Sequence, residues 1–341
     1  MRTSKLTVYL LVYGISHALV DASCVLLIFG GIDVRSQLLT YLLLYNILAF
    51  GLQLPFGWII DRIQKPVLSA VFGCICISLA LLLFIHPLAA TILACIGNAL
   101  FHVGGGTISL NLKPGKASMP GVFVAPGGIG LFAGGIILKL YGFHPAVFVI
   151  LLLCMSMMIF RLKSPQVLYG IKKEKTVNFL ILIILLFLVT ICIRSAVGLS
   201  IAFPWKSKMI LLILLTASIA LGKGLGGFLA DYFGWIKITV GSLGISALLL
   251  SFGVHFPAVG MTGIFLFNLT MPVTLVAISN LLPGRPGFSF GLTTCALVAG
   301  SLPTFFSYKL FLSKDQVILI LILISTIILF TALKLYNRNQ T

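Results

Sequence analysis

Apolar runs long enough to cross a membrane recur along this chain from its first residues to its last. A transmembrane helix needs about 20 consecutive apolar residues, and we count twelve such runs. Only 9% of the residues are charged, against about 25% in ordinary soluble domains. Because backbone groups inside lipid must bond within their own segment, the runs predict an all-α polytopic membrane protein. The predicted spans are 6–31, 37–60, 66–86, 88–110, 119–141, 143–162, 177–203, 208–230, 236–255, 258–282, 287–311 and 316–336.

The basic residues indicate orientation in the membrane. A net charge of +17 would suit a nucleic-acid partner, but the Lys and Arg residues fall in short loops between spans and form no single soluble face. Placing both termini in the cytoplasm puts most of the 23 Lys and Arg residues on the inner side, as the positive-inside rule requires. We therefore expect a multi-pass protein of the cell (inner) membrane, surrounded by lipid, with no nucleic-acid partner.

The chain contains an internal repeat with an offset of about 170 residues. Asn111-Leu-Lys-Pro-Gly-Lys is echoed by Asn280-Leu-Leu-Pro-Gly-Arg, Gly57-Trp-Ile-Ile-Asp61 by Gly227-Phe-Leu-Ala-Asp231, and Asn98 by Asn268. Three matches at one offset predict two pseudo-symmetric six-helix bundles, 1–162 and 177–341, joined by a basic cytoplasmic linker at 163–176. In such a protein the solute site is expected between the halves, near the membrane midplane.

The first span carries an imidazole and a carboxylate four residues apart, His17 and Asp21. Positions i and i+4 share one face of a helix, so the two groups are expected to lie together at membrane depth. Ionisable residues there are expensive and indicate function. We interpret His17 and Asp21 as proton-coupling residues; the alternative is a structural hydrogen bond that holds this helix to a neighbour.

Asn98 and His102 share a face of the fourth predicted helix in the same way. We interpret them, with Asp21, as substrate-binding residues, and a bridge from His102 to the first helix would connect the two. The alternative is a buried histidine with only structural bonds. Two histidines and a carboxylate can also ligate a transition metal, but no Cys or further acidic residue accompanies them in the sequence. We therefore expect no metal and no cofactor.

Two cations, Arg194 and Lys223, lie inside predicted spans. Subtracting the repeat offset places Arg194 within one turn of Asp21, so both are expected to face a central cavity. Arg194 could pair with Asp21 or hold an anionic substrate bidentately. Lys223 is assigned to substrate binding as well, although it could instead reach Asp231 or extend to the cytoplasm.

The stretch Gly57-Trp-Ile-Ile-Asp61-Arg62-Ile-Gln-Lys65 resembles the loop signature of the major facilitator superfamily, and the stretch Gly227 to Asp231 resembles it more weakly because the Arg is missing. We interpret this pattern as a gate. The glycines let two helices approach, and each carboxylate can pair with an Arg or with a helix N-terminus in one state only. The gating residues are Gly57, Asp61, Arg62, Gly227 and Asp231. The alternative is topogenic charge combined with plain helix packing.

His17-Ala-Leu-Val-Asp21 and Asn98-Ala-Leu-Phe-His102 resemble the fosmidomycin-resistance group of that superfamily. The resemblance implies the twelve-helix facilitator fold and an antiporter that exports small molecules against a proton gradient. The signature of drug–proton antiporters in the fifth helix is only loosely present in the run Ala125-Pro126-Gly127-Gly128.

These features together predict a proton-coupled secondary transporter, an antiporter, that exports a small polar or anionic organic solute by alternating access and acts as a monomer. Uptake of an organic anion with protons is the second possibility. A polytopic membrane enzyme or sensor is the third, and only six acidic residues in the whole chain speak against the enzyme.

Overall fold

The structure, a computed structural model, describes residues 3–32, 37–163, 165, 167, 169, 178–306 and 308–339. These residues form helices and no strand, so the prediction of an all-helical protein is confirmed for this part of the chain. The α-helices are α1 Thr3–Leu26, α2 Leu38–Gly51, α3 Gln53–Ile63, α4 Pro66–Leu82, α5 Pro87–Leu112, α6 Ser118–Tyr141, α7 Pro145–Arg161, α8 Leu180–Ser200, α9 Met209–Phe233, α10 Trp235–Phe252, α11 Pro257–Asn268, α12 Met271–Leu281, α13 Pro286–Ser301, α14 Tyr308–Leu312 and α15 Asp315–Arg338.

Within the described part of the chain, ten helical segments are long and apolar enough to cross a membrane, so this is a multi-pass membrane protein. The spanning segments are Leu6–Gly31, Leu38–Ile63, Pro87–Leu112, Ser118–Tyr141, Leu180–Ser200, Met209–Phe233, Trp235–Phe252, Pro257–Leu281, Pro286–Phe305 and Asp315–Arg338. Two further apolar helices, α4 and α7, have 17 residues each. At 1.5 Å per residue they measure about 25 Å, the lower limit for spanning. The count of twelve spans stays a prediction.

Proline interrupts two predicted spans. The predicted span 258–282 divides at Leu269 and Thr270, and Pro272 lies in the first turn of the second piece. The predicted span 287–311 ends as an α-helix at Ser301, where a 3₁₀ turn containing Pro303 follows. Proline lacks the backbone N–H that a continuous helix needs, and a window of average hydropathy does not detect that loss.

The described chain forms two compact units. Unit 1 comprises Met1–Pro114, Pro126–Ile171 and Gly284–Cys295, and unit 2 comprises Gly115–Ala125, Lys172–Pro283 and Ala296–Thr341. In unit 1, α4 packs against α5 and α7, while α1 lies against α5 and α7. In unit 2, α15 packs against α8 and α10, and α11 packs against α9 and α10. Most of the predicted linker 163–176 lies outside the described residues.

The repeated Pro-Gly motif has the same backbone shape in both copies. Gly115 has φ +76° and Gly284 has φ +75°, the left-handed region that side chains other than glycine avoid. Each motif immediately precedes the start of a helix, α6 in one case and α13 in the other. The repeat is therefore present in the backbone as well as in the sequence, since each copy leads into the N-terminus of a helix.

Candidate functional site

His17 and Asp21 meet on one face of α1. The Nε2 atom of His17 lies 3.4 Å from Oδ2 of Asp21. The two residues are only 4% and 8% exposed, respectively. A carboxylate at this depth requires positive or hydrogen-bonding partners, and the histidine one turn away supplies the first of them.

Helix α5 brings two more polar side chains to the same carboxylate. Asn98 Nδ2 donates a hydrogen bond of 3.2 Å to Asp21 Oδ1, and His102 Nε2 lies 3.7 Å from the same oxygen. The rings of His17 and His102 are nearly perpendicular, with centroids 4.5 Å apart. We call His17, Asp21, Asn98 and His102 the polar cluster. The predicted bridge from His102 to the first helix is therefore present in this geometry.

A hydrogen bond within α5 fixes the tautomer of His102. Its Nδ1 atom lies 2.8 Å from the backbone carbonyl oxygen of Asn98. Because a carbonyl oxygen only accepts hydrogen bonds, Nδ1 must carry the ring proton. In the neutral ring, Nε2 then presents a lone pair to Asp21. The amide oxygen of Asn98 is buried and has no hydrogen-bond partner among the described residues, so it is a further available acceptor.

Helix α6 closes over the polar cluster at Gly127. A methyl group at this position would overlap His17 Nε2 and Asp21 Oδ2. One turn further on, a methyl group at Gly130 would overlap the backbone of Ala18. The absence of a side chain at Gly127 therefore determines the space beside the two ionisable groups. Sequence reasoning missed this residue, because the distance between two helices cannot be obtained from spacing along one of them.

Arg194 lies on α8 in unit 2 and is 7% exposed. Its Nε and Nη1 atoms are buried and have no hydrogen-bond partner among the described residues. The next residue, Ser195, donates a hydrogen bond of 2.6 Å to the carbonyl oxygen of Leu297, which ties α8 to α13. Arg194 is thus a guanidinium held by a well-packed helix, with donors available to an anion. The predicted pairing of Arg194 with Asp21 stays a prediction.

Lys223 lies on α9 in unit 2 and is half-buried. Its backbone carbonyl faces Gly121, where a methyl group would come within 2.8 Å of that oxygen. Of the five residues predicted to bind substrate, Asp21, Asn98 and His102 therefore lie together in unit 1. Arg194 and Lys223 belong to unit 2.

Asp61 binds the N-terminus of α13. Its two carboxylate oxygens accept hydrogen bonds of 2.8 Å from the backbone N–H groups of Gly287 and Phe288. One turn earlier, Gly57 lies so close to the carbonyl of Gly287 that a methyl group would overlap it. Arg62, on the same helix, stacks over the ring of Trp58 at 3.7 Å. An anion at a helix N-terminus is stabilised both by the unpaired N–H groups and by the helix dipole.

Asp231 repeats this arrangement in unit 2. Its carboxylate accepts hydrogen bonds from the backbone N–H groups of Ala117, at 3.0 Å, and Ser118, at 2.9 Å. Trp235 Nε1 adds a third at 3.2 Å. A methyl group at Gly227 would overlap the carbonyl of Ala117. The two copies of the Gly-x-x-x-Asp motif thus use the same device: a glycine that admits a backbone, and a carboxylate that caps the adjoining helix.

Comparison with solved structures identifies the architecture. The E. coli fucose:proton symporter, a major facilitator superfamily transporter, matches with a TM-score of 0.68 and 12% identity over 98% of each chain. The human organic anion transporter MFSD10 matches with a TM-score of 0.68 and 12% identity, over 98% of this chain and 100% of that one. The chain has the major facilitator fold. At this level of identity the likeness concerns the fold alone.

A third similar structure is a bacterial homologue of the iron transporter ferroportin, in an outward-facing state with soaked iron. It matches with a TM-score of 0.63 and 15% identity over 100% of both chains. No protein-family model matches the sequence, and no curated protein matches it. The resemblance to the fosmidomycin-resistance group therefore stays a prediction.

Proposed function

We propose that this chain is a secondary active transporter that moves a small polar or anionic organic solute by alternating access, coupled to the movement of a cation. The observation that carries the proposal is the polar cluster. Three polar side chains from two membrane-spanning helices surround the buried carboxylate of Asp21, an arrangement that a purely structural bundle does not require. Ionisable residues at membrane depth typically mark ion or substrate pathways.

The cluster suits a cation because most of its free groups are acceptors. Asp21 carries a negative charge, Nε2 of neutral His102 presents a lone pair, and the Asn98 amide oxygen lacks a donor. Facing acceptors repel unless a positive charge lies between them. The sequence favours the proton as this cation, with His17 and Asp21 as its carriers and with export by antiport as the direction. Coupled uptake is the second direction to be tested.

Arg194 supplies the complementary chemistry for an anionic solute. A guanidinium binds carboxylates and phosphates through paired, charge-assisted hydrogen bonds, and two of the nitrogens of Arg194 have no partner among the described residues. The human neighbour is named as an organic anion transporter, which agrees with an anionic solute here. Lys223 is assigned to the same solute as a second positive charge.

The gating proposal rests on the two Gly-x-x-x-Asp motifs. Gly57, Asp61 and Arg62 in one copy, and Gly227 and Asp231 in the other, hold helix N-termini that a change of state can release. We further propose that the protein acts as a monomer in the cell (inner) membrane with both termini in the cytoplasm, as the distribution of basic residues requires.

The test begins with a thermal-shift screen of the purified protein against phosphonates, small carboxylates and common antibiotics at two pH values. A compound that raises the melting temperature is then loaded into proteoliposomes. We expect its flux to follow an imposed pH gradient, with the compound recovered unchanged. Recovery of a chemically altered product would show a membrane enzyme instead, and binding without any flux would show a sensor.

A further inference from the structure

The imidazoles of the polar cluster lie beside the Asp21 carboxylate at more than the shortest hydrogen-bond distance. Charge-assisted N–H···O bonds measure about 2.7–2.9 Å, whereas the imidazole nitrogens of His17 and His102 lie 3.4 Å and 3.7 Å from the carboxylate oxygens of Asp21. One ligand atom from each residue can be chosen so that all three lie within 4.8 Å of one another. The three groups are therefore close enough for one ligand atom of each to face the same ion.

That spacing is the one that ligands of a single metal ion adopt. Nitrogen and oxygen ligands bind first-row divalent metals at about 2.0–2.2 Å. Two ligands at such distances, separated by a tetrahedral angle, lie about 3.4 Å apart. His17 Nε2 lies 3.4 Å from Oδ2 of Asp21, and His102 Nε2 lies 3.7 Å from Oδ1 of the same carboxylate, so each imidazole has a carboxylate oxygen at about this distance.

The surroundings of His102 also resemble those of a metal ligand. Histidines that bind metals almost always donate their second ring N–H to a carbonyl or carboxylate, which fixes the tautomer and the ring orientation. The bond from His102 Nδ1 to the Asn98 carbonyl oxygen has this form, and it leaves Nε2 free to coordinate. Asp21 is oriented in turn by the amide group of Asn98.

We propose that His17, Asp21 and His102 bind a divalent first-row transition-metal ion of the zinc, manganese or iron type. Two imidazoles and one carboxylate suit these ions, whereas Mg²⁺ and Ca²⁺ prefer sites made of oxygen and Cu⁺ prefers sulfur. The ion binds at the carboxylate and imidazoles that the proposed function assigns to the proton, so metal ion and proton compete for one site. The inference rests on that function only for how the ion is used, because binding itself depends on the three side chains.

The experiment is a Co²⁺ titration of the full-length protein in detergent, in a background where the three exposed histidines, His86, His144 and His255, are replaced by Gln. Their removal leaves the two clustered imidazoles as the only ones in the chain. After metal is stripped with a chelator, Co²⁺ alone is added and its visible absorption is recorded. We expect one bound ion per chain with nitrogen and oxygen ligands, displaced by Zn²⁺ and unaffected by excess Mg²⁺.

Three single variants in this background test the assignment to the cluster. His17→Ala and His102→Ala should each weaken Co²⁺ binding about 100-fold or more, since changes outside the first coordination shell already cost 10–100-fold. Gly127→Ala keeps every ligand but places a methyl group against His17 and Asp21, so it should weaken binding by at least about 10-fold. Gly128→Ala, where a methyl group meets nothing within 4 Å, is the matched control and should bind as the background does.

The inference is wrong if the background protein binds no Co²⁺, if both histidine variants bind it unchanged, or if the spectrum shows thiolate charge transfer, which would assign the ion to cysteines. Size-exclusion chromatography of each variant shows whether it is folded, and the unsubstituted cluster gives the answer even if a variant fails. Absence of Co²⁺ binding by the background protein, together with intact gradient-driven flux, would overturn this inference alone. Metal binding without solute flux would overturn the proposed transport alone.

Discussion

The buried polar groups of the two units differ in how many of their hydrogen-bonding atoms have partners. In unit 1 the carboxylate of Asp21 is surrounded by Asn98 and two imidazoles. In unit 2 the guanidinium of Arg194 keeps two nitrogens without hydrogen-bond partners among the described residues. The motifs at Asp61 and Asp231, by contrast, are nearly identical. The two motif copies therefore share a helix-capping arrangement, while the buried polar groups of the two units differ.

The largest expected effect is the loss of anion binding when Arg194 is replaced. Arg194→Met removes a guanidinium that would form two charge-assisted hydrogen bonds with an anionic solute, each worth about 1.5–3 kcal/mol, so affinity should fall by about 100-fold or more. Isothermal titration with a ligand from the thermal-shift screen measures the loss. Unchanged affinity would show that the anion does not use Arg194.

The same substitution separates the two units by the sign of its effect on stability. Because Arg194 has unpartnered buried N–H groups, Arg194→Met should leave the free energy of unfolding unchanged or raise it by about 1–3 kcal/mol. Asp21→Ala leaves the amide N–H of Asn98 without its acceptor, so it should lower the free energy of unfolding by about 1–3 kcal/mol. Melting temperatures in detergent without solute give both signs. A similar loss in both variants would remove the contrast between the units.

The glycines of the two Gly-x-x-x-Asp motifs should respond alike. Gly57→Ala and Gly227→Ala each drive a methyl group into a neighbouring carbonyl, which should lower the free energy of unfolding by about 1–3 kcal/mol. The control is Gly241→Ala, where a methyl group meets nothing within 4 Å, and it should leave stability unchanged or raise it by up to about 1 kcal/mol. A loss of stability at only one of the two motifs would show that the two glycines do not contribute equally to the free energy of unfolding.

The smallest effects are expected at the capping carboxylates. Asp61→Asn and Asp231→Asn each keep one acceptor oxygen and lose the charge at a helix N-terminus, so each should lower the free energy of unfolding by about 1 kcal/mol. Asp315→Asn, at the exposed start of α15, is the control and should cost only about 0.3–1 kcal/mol. Thermal unfolding at low salt measures all three, and equal losses would show that the two half-buried caps add nothing beyond a surface charge.

Spacing along the sequence predicted the features that depend on one helix alone, namely its position and which residues share its face. The apolar runs gave the helices, and the interval between His17 and Asp21 placed both on one face, where the structure has them. The convergence of His102 on that pair depends on how two helices meet, which spacing along one helix does not determine.

What the sequence could not provide depends on how closely helices pack. The partners of Asp61 and Asp231 are backbone N–H groups, which carry no signature in the side-chain pattern. Gly127 matters only because α6 lies against α1 at that point. The broken spans depend on single prolines whose effect an average hydropathy conceals.

The most direct test of the account is gradient-driven exchange by Asp21→Asn in proteoliposomes, beside solute counterflow with no gradient. Asparagine is nearly the same size but removes the negative charge on which the cation depends. We expect that exchange driven by an imposed pH gradient is lost while counterflow partly remains. Gradient-driven exchange at the rate of the unsubstituted protein would contradict it.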